Sequence, residues 1–273
     1  MIISVTSLKK GMGQTVTTVN LAAMISELIG ETTIIIDTNR YYYDIAYYLS
    51  NSNLTKGLDE FINLKRTDML NEDNFLSCVK KINKNIHIMT SNDCFEIDGG
   101  DISSLKKYLK KNYPVTIIDT ISSLNKTTDH FMNISDVIVL VANQERKMYI
   151  EAERFEKLEK YKDKLVFVIN RYMESYGNNR MIYTDSEITK DLKSLGFDDN
   201  RIHKLNFDIE IMNDCNDFSI LSYVLANKQT DYLNQLNQIS KSILTQYGKY
   251  DFEEVVEKKR RGILRGKLNF SIF

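Results

Sequence analysis

Short runs of apolar, mostly β-branched residues recur along the chain and alternate with longer amphipathic stretches. The apolar runs cover residues 2–6, 33–36, 86–89, 115–118, 137–141 and 165–169, and their length and composition predict buried parallel strands. Between them, residues 17–29, 102–111 and 149–161 repeat apolar positions at intervals of three and four, which predicts helices. This alternation predicts an α/β fold with a doubly wound, mostly parallel sheet and helices on both faces.

The second half of the chain has a weaker pattern, and no linker separates it from the first half. After residue 169 the alternation fades, although residues 185–195 and 230–246 keep the spacing of helices. No stretch rich in proline, or in glycine and serine, divides the sequence. Its length of 273 residues suits one large α/β domain. We therefore predict one domain over residues 1–250 and an appended tail over residues 251–273.

Composition and charge exclude several classes of protein. With 42% hydrophobic and 27% charged residues, and no apolar run of about 18 residues, the chain reads as globular rather than membrane-spanning. It opens on a predicted strand rather than on a basic and apolar leader, so we expect a cytoplasmic protein. The three cysteines and three histidines are too scattered for a disulfide framework or a zinc site. A net charge of -1 argues against a specific nucleic-acid partner.

The segment between the first predicted strand and the first helix has the make-up of a phosphate-binding loop. It covers residues 7–16 and includes Gly11 and Gly13. Glycine-rich turns at this position let backbone N–H groups converge on phosphate oxygens, while the helix N-terminus adds partial positive charge. Gln14 replaces the lysine that such a loop normally carries, which removes a charge-assisted bond worth about 1.5–3 kcal/mol. Taken alone, the segment is equally compatible with an ordinary strand-to-helix turn.

Two acidic residues follow predicted strands at the edge where such a sheet binds ligands. Asp37 follows the strand at 33–36, and Asp119 follows the strand at 115–118. Either residue alone is explained as a solvated residue that begins a loop. Two carboxylates downstream of a glycine-rich loop favour a nucleotide-type site, because ligands bind at the carboxyl ends of the strands in doubly wound sheets.

These segments resemble, in order and spacing, the MinD/ParA family of ATPases with a deviant Walker A loop. Residues 9–22 resemble that loop, with Lys9 at the position of its signature lysine. The resemblance implies that Lys9 reaches the nucleotide of a partner subunit and that Thr15 binds Mg²⁺. It also implies that ATP or ADP is cradled by Lys9, Lys10, Gly11, Met12, Gly13, Gln14, Thr15 and Val16. Lys10 stands where the family has glycine, and we expect its ammonium to replace part of the charge lost at Gln14.

The resemblance extends over roughly residues 2–245 and implies a set of Mg²⁺ and catalytic residues. Asp37 matches the first carboxylate of the family's strand-end Asp-x-Asp, which supports the Mg²⁺ ion. Asn39 replaces the second, which positions the attacking water, and an amide can orient a water but cannot take its proton. Asp119 matches the Walker B carboxylate near Mg²⁺, and residues 122–124 resemble the switch that follows it. With Lys9 and Asn39 as its catalytic positions, the site is expected to be at most a weak ATPase.

Two further pairs of residues match the family's base pocket. Asn170 and Arg171 belong to a strand-end Asn-Arg-Tyr, whose asparagine contacts adenine in the family. Phe207 and Asp208 lie where the family usually has Ile-Pro-x-Asp beside the base, although the proline is absent here. The resemblance therefore implies adenine recognition by both pairs, and a homodimer that forms across the nucleotide face.

Within the family, the segment after the second strand favours one branch. Residues 41–49 and 55–61 resemble the corresponding helices of MinD and of the CpaE/TadZ pilus-assembly proteins, and the Asn-Arg-Tyr also favours CpaE/TadZ. Atypical Walker A loops occur in that branch. Many of its members carry a receiver-like domain before the loop, whereas the sequence here starts directly at the first predicted strand. The tyrosines within residues 41–48 are better explained by packing than by a functional motif.

The final sixteen residues combine six cations with bulky apolar residues and contain no acid. They include Lys258, Lys259, Arg260, Arg261, Ile263, Leu264, Arg265, Lys267, Leu268, Phe270 and Phe273. Such a composition is typical of an interfacial helix, in which each cation near an anionic leaflet contributes about 1 kcal/mol. The segment resembles the C-terminal membrane-targeting helix of MinD, which implies peripheral attachment at the inner face of the cell membrane or to a membrane assembly protein. A disordered basic tail and a last strand packed on the domain are the alternatives.

Three functions remain open from the sequence. The first is a CpaE/TadZ- or MinD-like spatial regulator that positions a pilus or secretion assembly and binds ATP or ADP with Mg²⁺ weakly or statically. The second is a working ATPase in division-site selection or DNA partition. The third is a pseudo-ATPase that binds no nucleotide and acts only through its partners.

Overall fold

The computed structural model describes seven stretches of the chain. They are residues 1–39, 44–50, 57–90, 97–122, 125–150, 153–226 and 229–252. The predicted tyrosine run at 41–43, the residues 55–56, the switch residues 123–124 and the basic tail at 258–273 lie outside them. Within the described stretches, no helix combines the length and the apolar character needed to cross a bilayer.

Strands and helices alternate through the described residues. The strands are β1 (Ile2–Thr6), β2 (Thr33–Asp37), β3 (Lys80–Lys81), β4 (Ile86–Met89), β5 (Val115–Asp119), β6 (Val137–Asn143), β7 (Leu165–Tyr172), β8 (Ser175–Tyr176), β9 (Asn179–Arg180) and β10 (Ile202–Asn206). The helices are α1 (Gln14–Ile29), α2 (Asp44–Ser50), α3 (Leu58–Arg66), α4 (Glu72–Ser77), α5 (Gly99–Asn112), α6 (Lys126–Ile134), α7 (Arg146–Ile150), α8 (Glu153–Glu156), α9 (Asp185–Ser194), α10 (Ile209–Asn216), α11 (Ile220–Leu225) and α12 (Asp231–Gly248). Two 3₁₀ helices cover Glu159–Lys164 and Asp199–Arg201.

Eight of these strands form one sheet in the order β10-β7-β6-β1-β5-β2-β4-β3. All neighbouring strands are parallel except β3, which pairs antiparallel with β4 at the edge. β8 and β9 form a separate hairpin. The carboxyl ends of β1, β2, β5, β7 and β10 therefore open on the same edge of the sheet, which we call the carboxyl edge. This arrangement confirms the predicted mostly parallel α/β fold.

The sheet carries apolar cores on both faces, as its strands require. Along β2, Ile35 belongs to one buried cluster, whereas Ile34 and Ile36 belong to the other. This alternation follows from the two-residue period of a strand, which sends successive side chains to opposite faces. The larger cluster includes residues of α1 and α12, and the smaller one includes residues of α3 and α5. Strands without polar alternation are apolar on both sides, so helices must cover both faces of the sheet to bury them.

The prediction of one helix over residues 149–161 is wrong. The chain there forms α7, α8 and a 3₁₀ helix instead. The amide of Leu158 donates to the Phe155 carbonyl, and that of Tyr161 donates to the Leu158 carbonyl. These three-residue turns place Phe155, Leu158 and Tyr161, all buried, on one face. A run of apolar residues spaced by three therefore favours the tighter helix here.

Two other elements differ from the sequence prediction. The helix predicted from residue 17 begins at Gln14, so its first turn contains Gln14 and Thr15. The strand β10 was not predicted, because it lies at the sheet edge and only Leu205 within it is fully buried. Because the other residues of β10 are partly exposed, the strand lacks the continuous apolar run that marks a central parallel strand.

Candidate functional site

Two adjoining cavities open at the carboxyl edge of the sheet. The larger, of about 310 Å³, is lined by Lys10, Gly11, Gly13, Gln14, Thr15, Val16, Asn39, Tyr48, Asp119, Thr120, Ile121, Ser122 and Arg171. The smaller, of about 200 Å³, is lined by Gly13, Val16, Tyr48, Asn170, Arg171, Asn206, Phe207, Asp208, Ile211, Met212, Cys215, Asn216 and Tyr232. The two share Gly13, Val16, Tyr48 and Arg171, and together they form one trough beneath the loop that follows β1.

The loop after β1 has the backbone of a phosphate cradle. Gly11 and Gly13 both have a φ of 81°, in the left-handed region that residues with a Cβ adopt only under strain. Gly13 is the N-cap of α1, and a Cβ there would collide with the side-chain amide of Asn170. Because glycine has no capping side chain, the first N–H groups of α1 are presented at the cavity. A helix N-terminus built in this way suits an anion.

Gln14 does not extend into the trough as the missing lysine would. Its side chain is buried, and its Nε2 donates to Asp119 Oδ1 at 2.7 Å and to the carbonyl of Thr120. Its Oε1 accepts from Ser122 Oγ at 3.0 Å and from Ser7 Oγ at 2.9 Å, and the single Ser7 proton is shared with the Lys9 carbonyl, also at 2.9 Å. A primary amide has two N–H donors and two acceptor lone pairs, so these four bonds use all of its capacity.

Thr15, at the start of α1, and Asp119, at the end of β5, lie together. They are the residues predicted to bind and to support Mg²⁺. Thr15 Oγ1 donates to Asp119 Oδ2 at 2.8 Å, and Thr18 Oγ1 donates to Asp119 Oδ1 at 3.1 Å. The Asp119 carboxylate is 2% exposed, yet these hydroxyls and the Gln14 amide solvate it. This geometry brings a hydroxyl ligand and a buried carboxylate to the floor of the larger cavity, a donor pair that suits a hard cation such as Mg²⁺.

Asp37 is held more tightly by its own loop. It lies beside Asp119 in the register of β2 and β5, and is 1% exposed. Its Oδ1 accepts from the Asn39 amide at 2.9 Å, and its Oδ2 accepts from the Ile45 amide at 3.4 Å at the start of α2. Asn39 lines the larger cavity. Asp37 therefore holds the backbone amide of Asn39 at the carboxyl edge.

The two lysines of the loop have different surroundings. Lys9 is half-exposed and forms an ion pair with Glu145 at 3.1 Å, at the rim rather than inside the trough. Lys10 is exposed and lines the larger cavity. With Gln14 neutral, Lys10 and Arg171 are the cationic side chains among the described residues that line the trough.

Asn170 and Arg171, at the end of β7, connect the glycine loop to the smaller cavity, where the resemblance places the base. Asn170 Nδ2 donates to the Met12 carbonyl at 2.8 Å, and the Arg171 guanidinium donates to the Gly11 carbonyl at 3.3 Å. Arg171 has a φ of 52°, an uncommon conformation for a residue with a side chain. Both residues therefore position the glycine loop, and one N–H of Asn170 is already used for that purpose.

The segment after β10 forms the wall of the smaller cavity. Asp208 caps α10, because its Oδ1 accepts from the Glu210 amide at 2.9 Å, and its other oxygen accepts from the Tyr223 hydroxyl. Phe207 is 40% exposed at the mouth. Burial raises the pKa of the Cys215 thiol to about 11, so this side chain lines the cavity as a neutral group. The carboxylate of Asp208 has a structural role in addition to the predicted one.

Several residues of the trough were missed from the sequence. Tyr48, at the junction of the two cavities, was assigned to packing, and Ser7 and Thr18 were not singled out. Ser122 was placed only in the switch segment. Hydroxyl residues are too common for their spacing to predict such a network. The position of Tyr48, in the first helix after Asp37, is the one sequence signal that points toward the site.

No protein-family model matches the chain, and no curated protein matches it. Solved structures do. The ParA family ATPase from Chlorobium tepidum has a TM-score of 0.69 and 18% identity over 88% of this chain and 97% of its own. MinD from Pyrococcus horikoshii complexed with Mg-ADP has a TM-score of 0.68 and 16% identity over 89% and 95%. The MinC:MinD complex from Aquifex aeolicus has a TM-score of 0.68 and 17% identity over 90% and 96%.

The fold is that of the MinD/ParA ATPases. At identities of 16–18% the similarity establishes the architecture and leaves the chemistry to the residues of the site. The MinD/ParA fold puts the loop after β1, the end of β5 and the end of β7 at one edge, where the trough lies.

The residues present supply part of what a nucleotide requires on its phosphate side. A glycine cradle, a helix N-terminus and the Thr15–Asp119 pair are in place for phosphate and Mg²⁺. The cation expected inside the cradle is replaced by the neutral, fully bonded amide of Gln14. Phosphate charge would therefore be balanced by Lys10, Arg171 and a bound cation.

Proposed function

We propose that this protein is a spatial regulator with the MinD/ParA fold that binds ATP or ADP with Mg²⁺ and hydrolyses ATP slowly or not at all. The observation that carries this proposal is the cradle formed by Gly11, Gly13 and the start of α1, which faces the bonded pair Thr15 and Asp119. Next to it lies a cavity of about 200 Å³ with mixed apolar and amide walls, which suits a base.

Slow hydrolysis follows from two side chains of the trough. Gln14 supplies no positive charge where negative charge develops on the transferred phosphoryl group. Asn39 orients a water through its amide but cannot accept a proton from it. Both changes act on the chemical step more than on the binding of the base, so binding without turnover is the expected behaviour.

The binding of nucleotide is tested by calorimetry on the wild-type protein and two lysine variants. We expect Mg-ATP and Mg-ADP to bind, and Lys10→Ala to bind Mg-ATP about tenfold more weakly, because it removes one charge-assisted contact. Lys107→Ala, an exposed lysine on α5 outside the trough, serves as the matched control and should bind normally. Absence of heat at millimolar ATP would contradict the proposal and favour a pseudo-ATPase that acts only through its partners.

We further infer that two copies associate across the nucleotide face. Among the described residues, six of the nine exposed large hydrophobic side chains belong to segments that follow carboxyl ends of strands. They are Tyr47, Tyr176, Ile182, Phe207, Ile209 and Met212. Of these, Phe207 and Met212 line the smaller cavity, and apolar side chains exposed at that opening support a partner there. The half-exposed Lys9 at the same rim is placed to meet a second copy.

Attachment to a membrane through the basic tail is the third part of the proposal. The last described residues, Tyr250 and Phe252, pack against the larger core, and a Cβ on Gly248 would lie 3.2 Å from Met1 Sδ. The last described residues therefore lie at the amino edge of the sheet, opposite the trough. Attachment through the tail and association across the nucleotide face would therefore start from opposite edges of the sheet, and neither would block the other.

Deletion of residues 258–273 tests this attachment. We expect the full chain to sediment with vesicles rich in anionic lipid and to leave zwitterionic vesicles unbound, because each cation gains about 1 kcal/mol near an anionic surface. The truncated chain should bind neither. Equal sedimentation of both proteins with anionic vesicles would contradict a membrane role for the tail.

We propose a pilus or secretion assembly as the first candidate for the structure that this protein positions. The reason is the resemblance to the CpaE/TadZ proteins. A fluorescent fusion in the source cell is expected to form membrane foci at that assembly, and the fusion without residues 258–273 to become diffuse. A division-site or DNA-partition pattern, together with sustained ATP turnover, would instead favour the active ATPase. Lys10, which lines the larger cavity, is the observation that keeps this second candidate.

A further inference from the structure

Gln14 joins the two walls of the larger cavity. One wall is the loop after β1, and the other is the segment Asp119–Ser122 that follows β5. Nε2 of Gln14 bonds Asp119 and the carbonyl of Thr120, whereas Oε1 accepts from Ser122 and from Ser7. A single side chain thus bonds three residues of the opposite wall and one residue at the base of its own loop.

We propose that Gln14 is a positioning residue that clasps the segment 119–122 against the glycine loop whether or not the cavity is occupied. The term clasp refers to the four hydrogen bonds of the Gln14 amide. The proposal rests on the function proposed above only for the identity of the ligand, since the clasp itself consists of protein groups.

The chemistry of the amide explains why glutamine can do this and lysine cannot. A lysine ammonium has three donors and no acceptor, so it can bond Asp119 and the Thr120 carbonyl but cannot accept from Ser7 or Ser122. Lysine also carries a charge that is drawn to phosphate when an anion fills the cavity. A lysine at this position would therefore bond the wall when the cavity is empty and the anion when the cavity is filled. The neutral amide stays bonded to the wall in both cases.

Burial strengthens the clasp. Gln14 is 6% exposed, Ser7 is fully buried and Asp119 is 2% exposed, so water competes weakly for these bonds. Thr15, beside Gln14 in the first turn of α1, donates to the same carboxylate, and the Thr18 hydroxyl, one turn later, is shared between that carboxylate and the Gln14 carbonyl. Opening the cavity wall would leave several buried polar groups without partners at once, which is costly. The wall is therefore expected to keep one position in the ligand-free and in the ligand-bound protein.

Amide hydrogen exchange over residues 119–122 tests the proposal on the full chain, without ligand and with Mg-ATP. The wild-type protein is expected to exchange slowly in both conditions, with less than about a twofold difference between them. Gln14→Met, which keeps the length of the side chain but makes none of the four bonds, should exchange about tenfold faster without ligand. Gln14→Lys should exchange fast without ligand and slowly with Mg-ATP.

Two controls separate the clasp from a general loss of structure. Gln144 is a second bridging glutamine, which donates to the Tyr183 carbonyl at 2.6 Å and accepts from the Met173 amide at 3.1 Å. Gln144→Met should leave exchange over residues 119–122 unchanged. Exchange in the buried part of α12 should be the same in all variants. Should Gln14→Met unfold, Ser122→Ala, which removes one bond of the four, replaces it and should give a smaller acceleration at the same residues.

Two results would overturn the proposal. One is a wild-type segment that exchanges fast without ligand and becomes protected only with Mg-ATP. The other is ligand-free exchange over residues 119–122 that is unaffected by Gln14→Met or Ser122→Ala. Both comparisons without ligand remain valid even when calorimetry detects no nucleotide, so failure of the nucleotide site and failure of the clasp are distinguishable.

Discussion

Gln14 occupies the position where a phosphate-binding loop normally carries its lysine, and its neighbours have adapted to a neutral group. Ser7 and Ser122 donate to its oxygen, which an ammonium would not permit. The sequence predicted the loss of charge at this position. It did not predict the bonds that replace the charge, because their partners are distant in the chain and belong to common residue types.

Gly13 offers a test of how closely the loop and β7 approach. Gly13→Ala should destabilise the protein more than Gly11→Ala, although both residues have a φ of 81°. Alanine costs about 1–2 kcal/mol in this conformation at either position. At Gly13 the Cβ also meets the Asn170 amide, whereas at Gly11 it meets nothing within 4 Å. Urea unfolding measures both variants, and adding Asn170→Ala should relieve the extra cost at Gly13. Equal destabilisation by the two alanines would contradict the close approach.

Stability is expected to fall at mildly acidic pH because of the partly buried His203. Burial lowers the pKa of this imidazole below its usual 6.5, and its Nε2 has no hydrogen-bond partner among the described residues. The unfolded chain then binds more protons than the folded one as the pH falls below about 6.5, so the unfolding free energy decreases by at most about 1.4 kcal/mol per pH unit for this group.

The measurement is urea unfolding at pH 7.5 and pH 5.5, which lie on either side of the ordinary imidazole pKa of about 6.5. His203→Val should reduce the difference in unfolding free energy between the two conditions. His87, whose pKa is also lowered by burial, should account for part of what remains. A pH dependence unchanged by His203→Val would show that the imidazole is solvated in the folded protein.

At the scale of elements, α1 holds the domain together behind the site. It packs against β1 and β2 and against α11 and α12. Asn20 Nδ2 of α1 donates to the Tyr232 hydroxyl of α12 at 2.9 Å, and both residues are buried. Since Tyr232 also lines the smaller cavity, this bond links the packing of two helices to the shape of the site.

A double-mutant cycle tests that link. Tyr232→Phe should lower the unfolding free energy by about 1–3 kcal/mol, because it leaves the Asn20 amide unsatisfied in the core. Asn20→Leu combined with Tyr232→Phe should recover part of this loss, since both polar groups are then gone. Tyr176→Phe, on a side chain that is 75% exposed, should change stability by less than about 0.5 kcal/mol. Additive losses in the double variant would show that the two residues do not interact.

Elements with a continuous apolar run were predictable, and elements that depend on their surroundings were not. All six predicted strands are present because buried parallel strands need little context. The edge strand β10 and the 3₁₀ helix at Glu159–Lys164 escaped prediction, since partial exposure and three-residue spacing decide them. Most residues predicted for the trough line one of its cavities, whereas Met12 and Asp37 line neither and Lys9 lies at the rim in an ion pair.

At the scale of the whole molecule, the trough and the end of the described chain lie at opposite edges of the sheet. Exposed Phe207 and Met212 line the smaller cavity of the trough, and Gly248, near the end of the described residues, lies beside Met1. This arrangement suits a protein that meets a second copy with one edge and an anionic surface with the other. In the proposed scaffold, nucleotide is bound without being consumed.

The central claim is nucleotide binding without turnover, and light scattering with phosphate release on the same sample tests it most directly. With saturating Mg-ATP we predict twice the monomer mass and phosphate release at the background rate. Replacing Tyr176, Ile182 and Met212 by serine should return the mass to that of the monomer, whereas serine at Met69 and Leu76, exposed elsewhere, should not. Sustained phosphate release over many turnovers would contradict the account and make the protein an active ATPase.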